Sequence, residues 1–232
     1  IKAGILPVAI EFMDRPCIRA TEAFAKAGYP DCEALLIIEV EGSQAEIAEQ
    51  LARIKTIALT HNPVEFREAE DEDQAKRIWL GRKSAFGAMG QINDYMCLDG
   101  TIPVTSLPYV LRRIGEMSVQ FGLDVGNVFH AGDGNMHPLI LYDANKPGDL
   151  ETCEAFGAEI LKLCVEVGGC LTGEHGVGVE KRDLMNVQFG PMDLEAQMWL
   201  KDVFDPKWLL NAAKVFPLES AQAHRAAQLA AE

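Results

Sequence analysis

The stretch His130-Ala-Gly-Asp-Gly-Asn-Met-His137-Pro138 carries more structural information than any other part of this chain. Residues 127–130 and 137–142 are typical of strands, and the Gly132-Asp-Gly-Asn135 segment between them supplies the residue types that favour a tight turn. The pattern predicts a β-hairpin that brings His130 and His137 to one end of a pair of strands.

A second glycine-bracketed segment, Gly173-Glu174-His175-Gly176-Val177-Gly178, follows farther along the chain. Together the two segments hold three of the five histidines. Imidazole nitrogens combined with a carboxylate oxygen suit a divalent ion such as zinc. We therefore predict a metal site that draws on both segments. The spacing alone is not diagnostic, because neither an HExxH motif nor a CxxC pair is present.

Both segments resemble the C-terminal substrate domain of FAD-linked 2-hydroxy acid oxidoreductases, the family of glycolate oxidase D subunits, D-lactate dehydrogenases and D-2-hydroxyglutarate dehydrogenase. The resemblance extends from residue 3 to residue 217, which is nearly the whole chain. Further stretches carry it in the order expected for that family: 3–7, 9–14, 79–83, 98–103, 204–206 and 211–216.

The resemblance implies roles for six residues at matching positions of the sequence. His130, His137 and Glu174 would bind a divalent metal, His175 would remove the substrate's hydroxyl proton, Arg82 would hold the substrate carboxylate, and Asn211 would lie close to the flavin. Zinc is the first expectation for the metal, and manganese and iron(II) accept the same ligands. FAD is the implied hydride acceptor, and a small D-2-hydroxy acid of the glycolate or D-lactate type is the implied substrate. Helix geometry alone equally allows Arg82 to be an exposed ion-pair partner.

The resemblance also predicts how the chain is divided. Residues 1–217 are expected to form the substrate and cap domain, and residues 218–232 a C-terminal helix or tail. The family's FAD-binding half is missing, because neither a GxGxxG helix start nor a GxxxxGK[ST] loop occurs. We therefore expect half of a larger flavoprotein. Its expected partners are the FAD-binding domain of the parent chain and an electron-acceptor subunit, and the isolated chain is expected to be inactive.

Two positions depart from the family pattern. Ala212-Ala213 stand where relatives have Pro-Gly, so the local turn is expected to differ. Cys97 stands where some relatives have a lysine. A missing cation in the substrate pocket favours a small monocarboxylate over a dicarboxylate.

Two other functional classes stay open on the residues alone. One is a free-standing metal-dependent hydrolase or lyase that uses His130, His137 and Glu174 with His175 as base. The other is a non-catalytic domain that docks another subunit. A flavin spectrum of the parent protein with and without D-lactate or glycolate would separate both from the dehydrogenase.

Charge, hydrophobicity and cysteine content argue against several other classes of protein. The net charge of −14 disfavours binding to nucleic acid through phosphate contacts. No run of about 18 apolar residues is present, so a membrane span is not expected, and a cytoplasmic location is predicted. The six cysteines lack metal-binding spacing and are expected to be reduced thiols in or near the core.

Hydrophobic periodicity predicts an α+β fold, with two ferredoxin-like halves that share one antiparallel sheet. Besides the hairpin, strands are predicted at 6–13, 33–40, 62–69 and 101–104. Helices are predicted at 20–27, 43–58 with Ser43 as N-cap, 71–89, 107–120, 150–167 and 194–203, with a surface helix or tail at 221–232.

Overall fold

The computed structural model describes residues 1–230 as seven strands that form one sheet and eight α-helices. The strands are β1 Ala9–Asp14, β2 Ala34–Glu39, β3 Asp94–Cys97, β4 Gly100–Thr101, β5 Val125–His130, β6 Asn135–Met136 and β7 Pro138–Tyr142. The helices are α1 Arg15–Ala25, α2 Gln44–Leu59, α3 Glu72–Met89, α4 Leu107–Phe121, α5 Asp149–Glu166, α6 Met185–Gln188, α7 Pro191–Phe204 and α8 Leu218–Leu229.

Strand β5 lies at the centre of the sheet. It pairs antiparallel with β1 near its C-terminal end and with β7 near its N-terminal end. β2 continues the sheet beyond β1, β3 pairs with β7, and β6 pairs with both β5 and β4. Every one of these pairings is antiparallel. The predicted α+β class, in which both halves of the chain contribute to one antiparallel sheet, is confirmed.

The two faces of the sheet are covered by different helices, as alternation along a strand requires. Met13, Val128 and Leu139 pack in a cluster with residues of α1 and α3. The neighbouring residues Phe129 and Ile140 belong to a second, larger cluster with α4 and α5. Because β5 is buried on both faces, its C-terminal residue His130 is held in a fixed place.

Side-chain capping explains where helices α1 and α2 begin. The Ser43 hydroxyl accepts a hydrogen bond from the backbone N–H of Glu46, and the Glu46 carboxylate accepts one from the backbone N–H of Ser43, so α2 begins where the sequence predicts. Helix α1 begins at Arg15, five residues before the predicted start at Ala20, because the Asp14 side chain caps it and a proline occupies its first turn.

The strand prediction at 62–69 was wrong, and the strand predicted at 101–104 is reduced to Gly100–Thr101, after which Val104–Ser106 forms a 3-10 turn. Residues 62–69 form no strand. Val64 in this segment is 83% exposed, so the apolar alternation there serves no sheet face. The sequence analysis also missed β3, which pairs with β7 through Asp94–Cys97. That strand is short, and only its partner identifies it.

Within the described residues, the C-terminal part forms helix α8, and the division between residues 1–217 and 218–232 stays a prediction. Asp202 of α7 accepts hydrogen bonds from the side chains of Trp208, His224 and Gln228, which attaches α8 to α7. The last two residues of the predicted segment, 231–232, lie outside the described residues. All six cysteines are free, and four of them are buried, as expected. No helix within residues 1–230 combines the length and the apolar character needed to cross a bilayer.

Candidate functional site

The hairpin places its two histidines on either side of a turn. His130 ends β5, and His137 lies between β6 and β7. Gly134 makes this turn with φ of +84°, and a Cβ there would lie 2.1 Å from the carbonyl oxygen of Ile102. Only glycine fits both the left-handed conformation and this close approach. The predicted strand–turn–strand geometry is confirmed.

The four residues predicted from the two segments converge around one carboxylate. Oε1 of Glu174 lies 3.2 Å from Nε2 of His137, 3.8 Å from Nε2 of His175 and 4.0 Å from Nε2 of His130. The ring of His137 stacks on that of His175 at 5.2 Å and meets that of His130 edge-on at 5.4 Å. Side chains from β5, from the β6–β7 junction and from the loop after α5 thus form one cluster.

His137 is prepared to offer a lone pair. It is buried, and its Nδ1 lies 3.1 Å from the carbonyl oxygen of Leu98. A carbonyl oxygen can only accept, so Nδ1 carries a proton, and in the neutral imidazole the lone pair of Nε2 would face Glu174. Burial lowers the pKa of His137, the hydrogen bond to Leu98 opposes this, and the nearby His130 and His175 lower the pKa further. The lowered pKa favours the neutral imidazole, which is the form that a metal ligand must take.

His130 is oriented by a buried carboxylate. Its Nδ1 lies 2.8 Å from Oε1 of Glu11, and Oε2 of Glu11 accepts a hydrogen bond of 2.8 Å from Nε of Arg82. Glu11 and Arg82 are only 4% and 8% exposed. A carboxylate on one ring nitrogen fixes the tautomer, and the other nitrogen is left to bind an ion.

Glu11 is a site residue that the sequence analysis missed, although a signal was present. It is an acidic residue inside the strand Ala-Ile-Glu-Phe-Met-Asp, on the same face as the buried Met13. Arg82 is placed on α3, where it pairs with Glu11 rather than standing as an exposed ion pair. The ring of Phe86, one turn later, lies 6.0 Å from the guanidinium.

Asp99 is the second residue that sequence reasoning missed. Its carboxylate is fully buried beside the loop that carries Glu174 and His175, and it accepts hydrogen bonds from Thr172, from three backbone N–H groups and from Lys181. Burial acts to raise the pKa of Asp99, but these hydrogen bonds outweigh burial and hold the pKa well below its usual range. Asp99 is therefore a permanent anion.

Asn211 lies in the loop between α7 and α8 and is exposed. The structure does not bring it into the histidine cluster, but its segment contacts the loop of His175. The backbone N–H of Val215 donates to the carbonyl oxygen of Gly178 at 2.9 Å, and Arg182 donates to the carbonyl oxygen of Ala213 at 2.7 Å. Asn211 and Ala213 both have positive φ, of 49° and 62°.

The donor set fits a divalent ion. Ligand atoms of Asp99, His137, Glu174 and His175 lie within 4.8 Å of one another. Glu174 is 55% exposed at its side chain, His175 46% and His130 39%, whereas His137 is at 3%. One side of the cluster therefore faces solvent, so an ion held there could keep open positions for a small chelating molecule.

The chain is similar along nearly its whole length to proteins of one family. The family described as "FAD linked oxidases, C-terminal domain" matches residues 1–215. Glycolate oxidase subunit GlcD of Escherichia coli K12 is 48% identical over 100% of this chain and 46% of its own length. GlcD of Bacillus subtilis is 31% identical over 93% of this chain and 46% of its own. The mitochondrial D-lactate dehydrogenase [cytochrome] of Kluyveromyces lactis is 29% identical over 94% and 39%.

The chain thus spans less than half the length of these curated relatives. A solved structure of 4-ethylphenol oxidase from Gulosibacter chungangensis, in complex with isoeugenol, superposes with a TM-score of 0.62 over 94% of this chain and 50% of that chain. Its 13% identity supports the fold alone. Because the family model matches residues 1–215, the chain belongs to the C-terminal domain family of FAD-linked oxidases.

Proposed function

We propose that this chain is the substrate- and metal-binding half of an FAD-dependent dehydrogenase that oxidises a small D-2-hydroxy acid of the glycolate or D-lactate type. The observation that carries the proposal is the convergence of His130, His137 and His175 on Glu174, at distances of 3.2 to 4.0 Å. Membership of an FAD-linked family favours flavin chemistry over metal-dependent hydrolysis.

His130, His137 and Glu174 would hold the ion. Each imidazole has its Nδ1 occupied by an oxygen acceptor, Glu11 or Leu98, and this leaves both Nε2 atoms free on the side of Glu174. Two nitrogens and one carboxylate suit zinc, and manganese or iron(II) would accept the same set. A divalent ion with open positions supplies a Lewis acid that orients a 2-hydroxy carboxylate and lowers the pKa of its hydroxyl.

His175 would take the proton from the substrate hydroxyl. Its side chain is 46% exposed, whereas that of His137 is 3% exposed. It therefore stands at the solvent-facing side of the cluster, where a bound substrate would lie. An imidazole titrates near neutral pH, which suits general-base work.

Arg82 would serve the substrate carboxylate while it also supports Glu11. Its Nε donates to Glu11, and this bond fixes the direction of the guanidinium. A guanidinium has further N–H donors in the same plane, and these match a carboxylate. Cys97 lies at the end of β3, and burial raises the pKa of its thiol to about 12, with the nearby Asp99 adding to the rise. A neutral side chain there adds no second cation, which favours a monocarboxylate.

FAD, when bound, would supply the acceptor for the hydride of the substrate's α-carbon. The flavin is proposed to be held mainly by a second domain, since the curated relatives are about twice as long as this chain. Asn211, in a segment that touches the loop of His175, is proposed to lie at the flavin side of the site. The proposed partners are that domain, the hydroxy acid and an electron-acceptor subunit, and a cytoplasmic location stays a prediction.

A metal analysis tests the core of this proposal. The purified wild-type protein and its His137→Ala variant would be treated with a mild chelator, reloaded with Zn²⁺ and dialysed before their zinc content is measured. Zinc should be stoichiometric in the wild type and lost in the variant. Equal zinc in both proteins would remove the site. His61→Ala is the matched control, because His61 is an exposed histidine in a loop and should leave the zinc content unchanged.

A further inference from the structure

We propose that Asp99 is a positioning residue, whose buried carboxylate holds the loop of Glu174 and His175 in the conformation that completes the ligand cluster. The inference rests on the proposed metal site and adds to it a residue that would contact neither the ion nor the substrate.

The loop backbone wraps around the Asp99 carboxylate. Oδ2 accepts hydrogen bonds of 3.0 Å from the backbone N–H groups of Gly173 and His175, and Oδ1 accepts one of 3.1 Å from that of Glu174. Three successive N–H groups that point at one anion form a concave nest. Their common target fixes the φ and ψ angles of the residues that carry the proposed third ligand and the proposed base.

Lys181 ties the far end of the same loop to Asp99. Its Nζ lies 3.1 Å from Oδ2 of Asp99 and 3.1 Å from Oγ1 of Thr172, and the Thr172 hydroxyl also donates to Asp99. Lys181 is 4% exposed and Asp99 is 0% exposed, so each charge is buried with the other as its counterion. The segment from Thr172 to Lys181 is thus attached at both ends to one side chain.

The arrangement also explains why Asp99 is not a ligand itself, although its carboxylate lies within the 4.8 Å cluster. Its oxygens are already shared among backbone, hydroxyl and ammonium donors, and an ion would have to displace them. The preceding residue, Leu98, accepts the hydrogen bond from His137 Nδ1. Leu98 therefore orients His137 through its carbonyl oxygen. Asp99 orients the backbone of Glu174 and His175 through its carboxylate.

The test is the affinity of the purified protein for Zn²⁺, measured by competition with a chromophoric chelator. Loss of a residue that orients a metal ligand typically lowers affinity about 10–100-fold, and we expect a loss of that size in Asp99→Asn. Asp149→Asn is the matched control. Asp149 is a buried carboxylate that accepts from a backbone N–H and from Lys146 in the loop before α5, outside the site. Its variant should keep the wild-type affinity.

The Lys181→Met variant distinguishes two roles for Asp99, because an anchor of the loop and a ligand of the ion predict changes of zinc affinity in opposite directions. If Asp99 anchors the loop, removing Lys181 loosens the loop and lowers zinc affinity. If Asp99 binds the ion, removing a competing cation raises the affinity, and that result, or an unchanged affinity, overturns the proposal. Thr172→Val deletes one hydroxyl contact, and a smaller loss of affinity is expected. These two variants decide the matter if Asp99→Asn does not fold.

Two readouts distinguish the failure of this inference from the failure of the proposed function. If His137→Ala loses zinc while Asp99→Asn retains wild-type affinity with an unchanged circular dichroism spectrum, only the role of Asp99 is overturned. If His137→Ala binds zinc as the wild type does, the proposed site itself is wrong. With Co²⁺ in place of zinc, Asp99→Asn should alter the visible absorption bands, because they report the geometry of the ligands, whereas Asp149→Asn should not.

Discussion

Nδ1 of His130 lies 2.8 Å from Oε1 of Glu11, in a pair that joins the end of β5 to the middle of β1. The Glu11 side chain is only 6% exposed, and its other oxygen is bonded to Arg82. One buried carboxylate thus fixes a proposed metal ligand and a proposed substrate-binding residue at once. Its removal should affect both the binding of the ion and the stability of the fold.

The first prediction concerns Glu11→Gln. The variant leaves the Arg82 guanidinium buried without its charge partner, and we expect the free energy of unfolding to fall by about 3 kcal/mol. Zinc affinity should fall about 10–100-fold, because His130 loses the anion that orients it. Urea unfolding in the presence of chelator measures the first effect, and chelator competition measures the second. Glu33→Gln is the control, since Glu33 pairs with Arg15 at the surface and should change stability by less than about 0.5 kcal/mol.

The second prediction separates the roles of the neighbours Glu174 and His175 in the complete flavoprotein. His175→Ala should keep the metal and lower the rate of flavin reduction about 10²–10⁴-fold, the usual contribution of a positioned base. Glu174→Ala should lose metal and activity together. Metal analysis and stopped-flow reduction with D-lactate or glycolate measure both properties. If the metal is lost from His175→Ala and kept in Glu174→Ala, the two assignments are exchanged.

The third prediction uses the backbone of the loop that carries Asn211. Ala213 has φ of 62°, a left-handed conformation that costs residues with a Cβ about 1 kcal/mol or more. Ala213→Gly should therefore raise the free energy of unfolding by about 1 kcal/mol. Ala212 has no positive φ, so Ala212→Gly should lower it by about 0.4–1 kcal/mol. Two equal effects of the same sign would contradict the described turn.

The fourth prediction is a pH dependence at Asp14, the N-cap of α1. Burial raises the pKa of Asp14 above its ordinary value of 3.8, by more than the hydrogen bonds from Asn127 and Cys17 lower it. A raised pKa in the folded state contributes stability that is fully present below about pH 3.8 and is lost as the pH rises through the folded pKa. Carbon-13 NMR titration of the side-chain carboxyl measures the pKa of Asp14 in the folded protein. A pKa at or below 3.8 would refute the prediction.

Asp205 serves as an internal control, because its pKa is shifted in the opposite direction to that of Asp14. Lys201 donates a hydrogen bond to its carboxylate and lowers its pKa, and the backbone N–H groups of Leu209 and Leu210 act in the same direction. Its contribution to stability is present above about pH 3.8 and is lost as the pH falls through the lowered pKa. The two carboxyls should therefore titrate on opposite sides of 3.8 in the same experiment.

Much of the candidate site follows from the sequence because its chemistry lies in short motifs. His130 and His137 flank a glycine turn, and a hairpin needs no distant information to bring them together. The residue types of the second segment predict that Glu174 and His175 join them, and the family resemblance implies the role of each. Residues 62–69 were predicted as a strand and β3 was missed for one common reason, since strand pairing depends on neighbours that are far away in sequence.

Glu11, Asp99 and Lys181 could not be predicted as site residues, because each acts through a partner from another segment. The pair of Asp99 and Lys181 joins residues 82 positions apart, and Glu11 meets His130 across 119 positions. A single acidic residue in a strand signals a buried partner but does not name it. Motifs therefore identify the groups that touch a ligand, and only the fold identifies the groups that hold them in place.

The two sides of the candidate site rest on different kinds of structure, and this has a kinetic consequence. His130 and His137 belong to a sheet, whereas from Leu171 to Lys181 the chain forms only turns and bends. Local opening requires the least free energy where no strand or helix must break. A bound ion should therefore dissociate when this loop opens locally and moves Glu174 out of the site. The strength of the hydrogen bonds to Asp99 should determine how often the loop opens. The rate of metal removal should accordingly reach a plateau at high chelator concentration, and that plateau would be the opening rate of the loop.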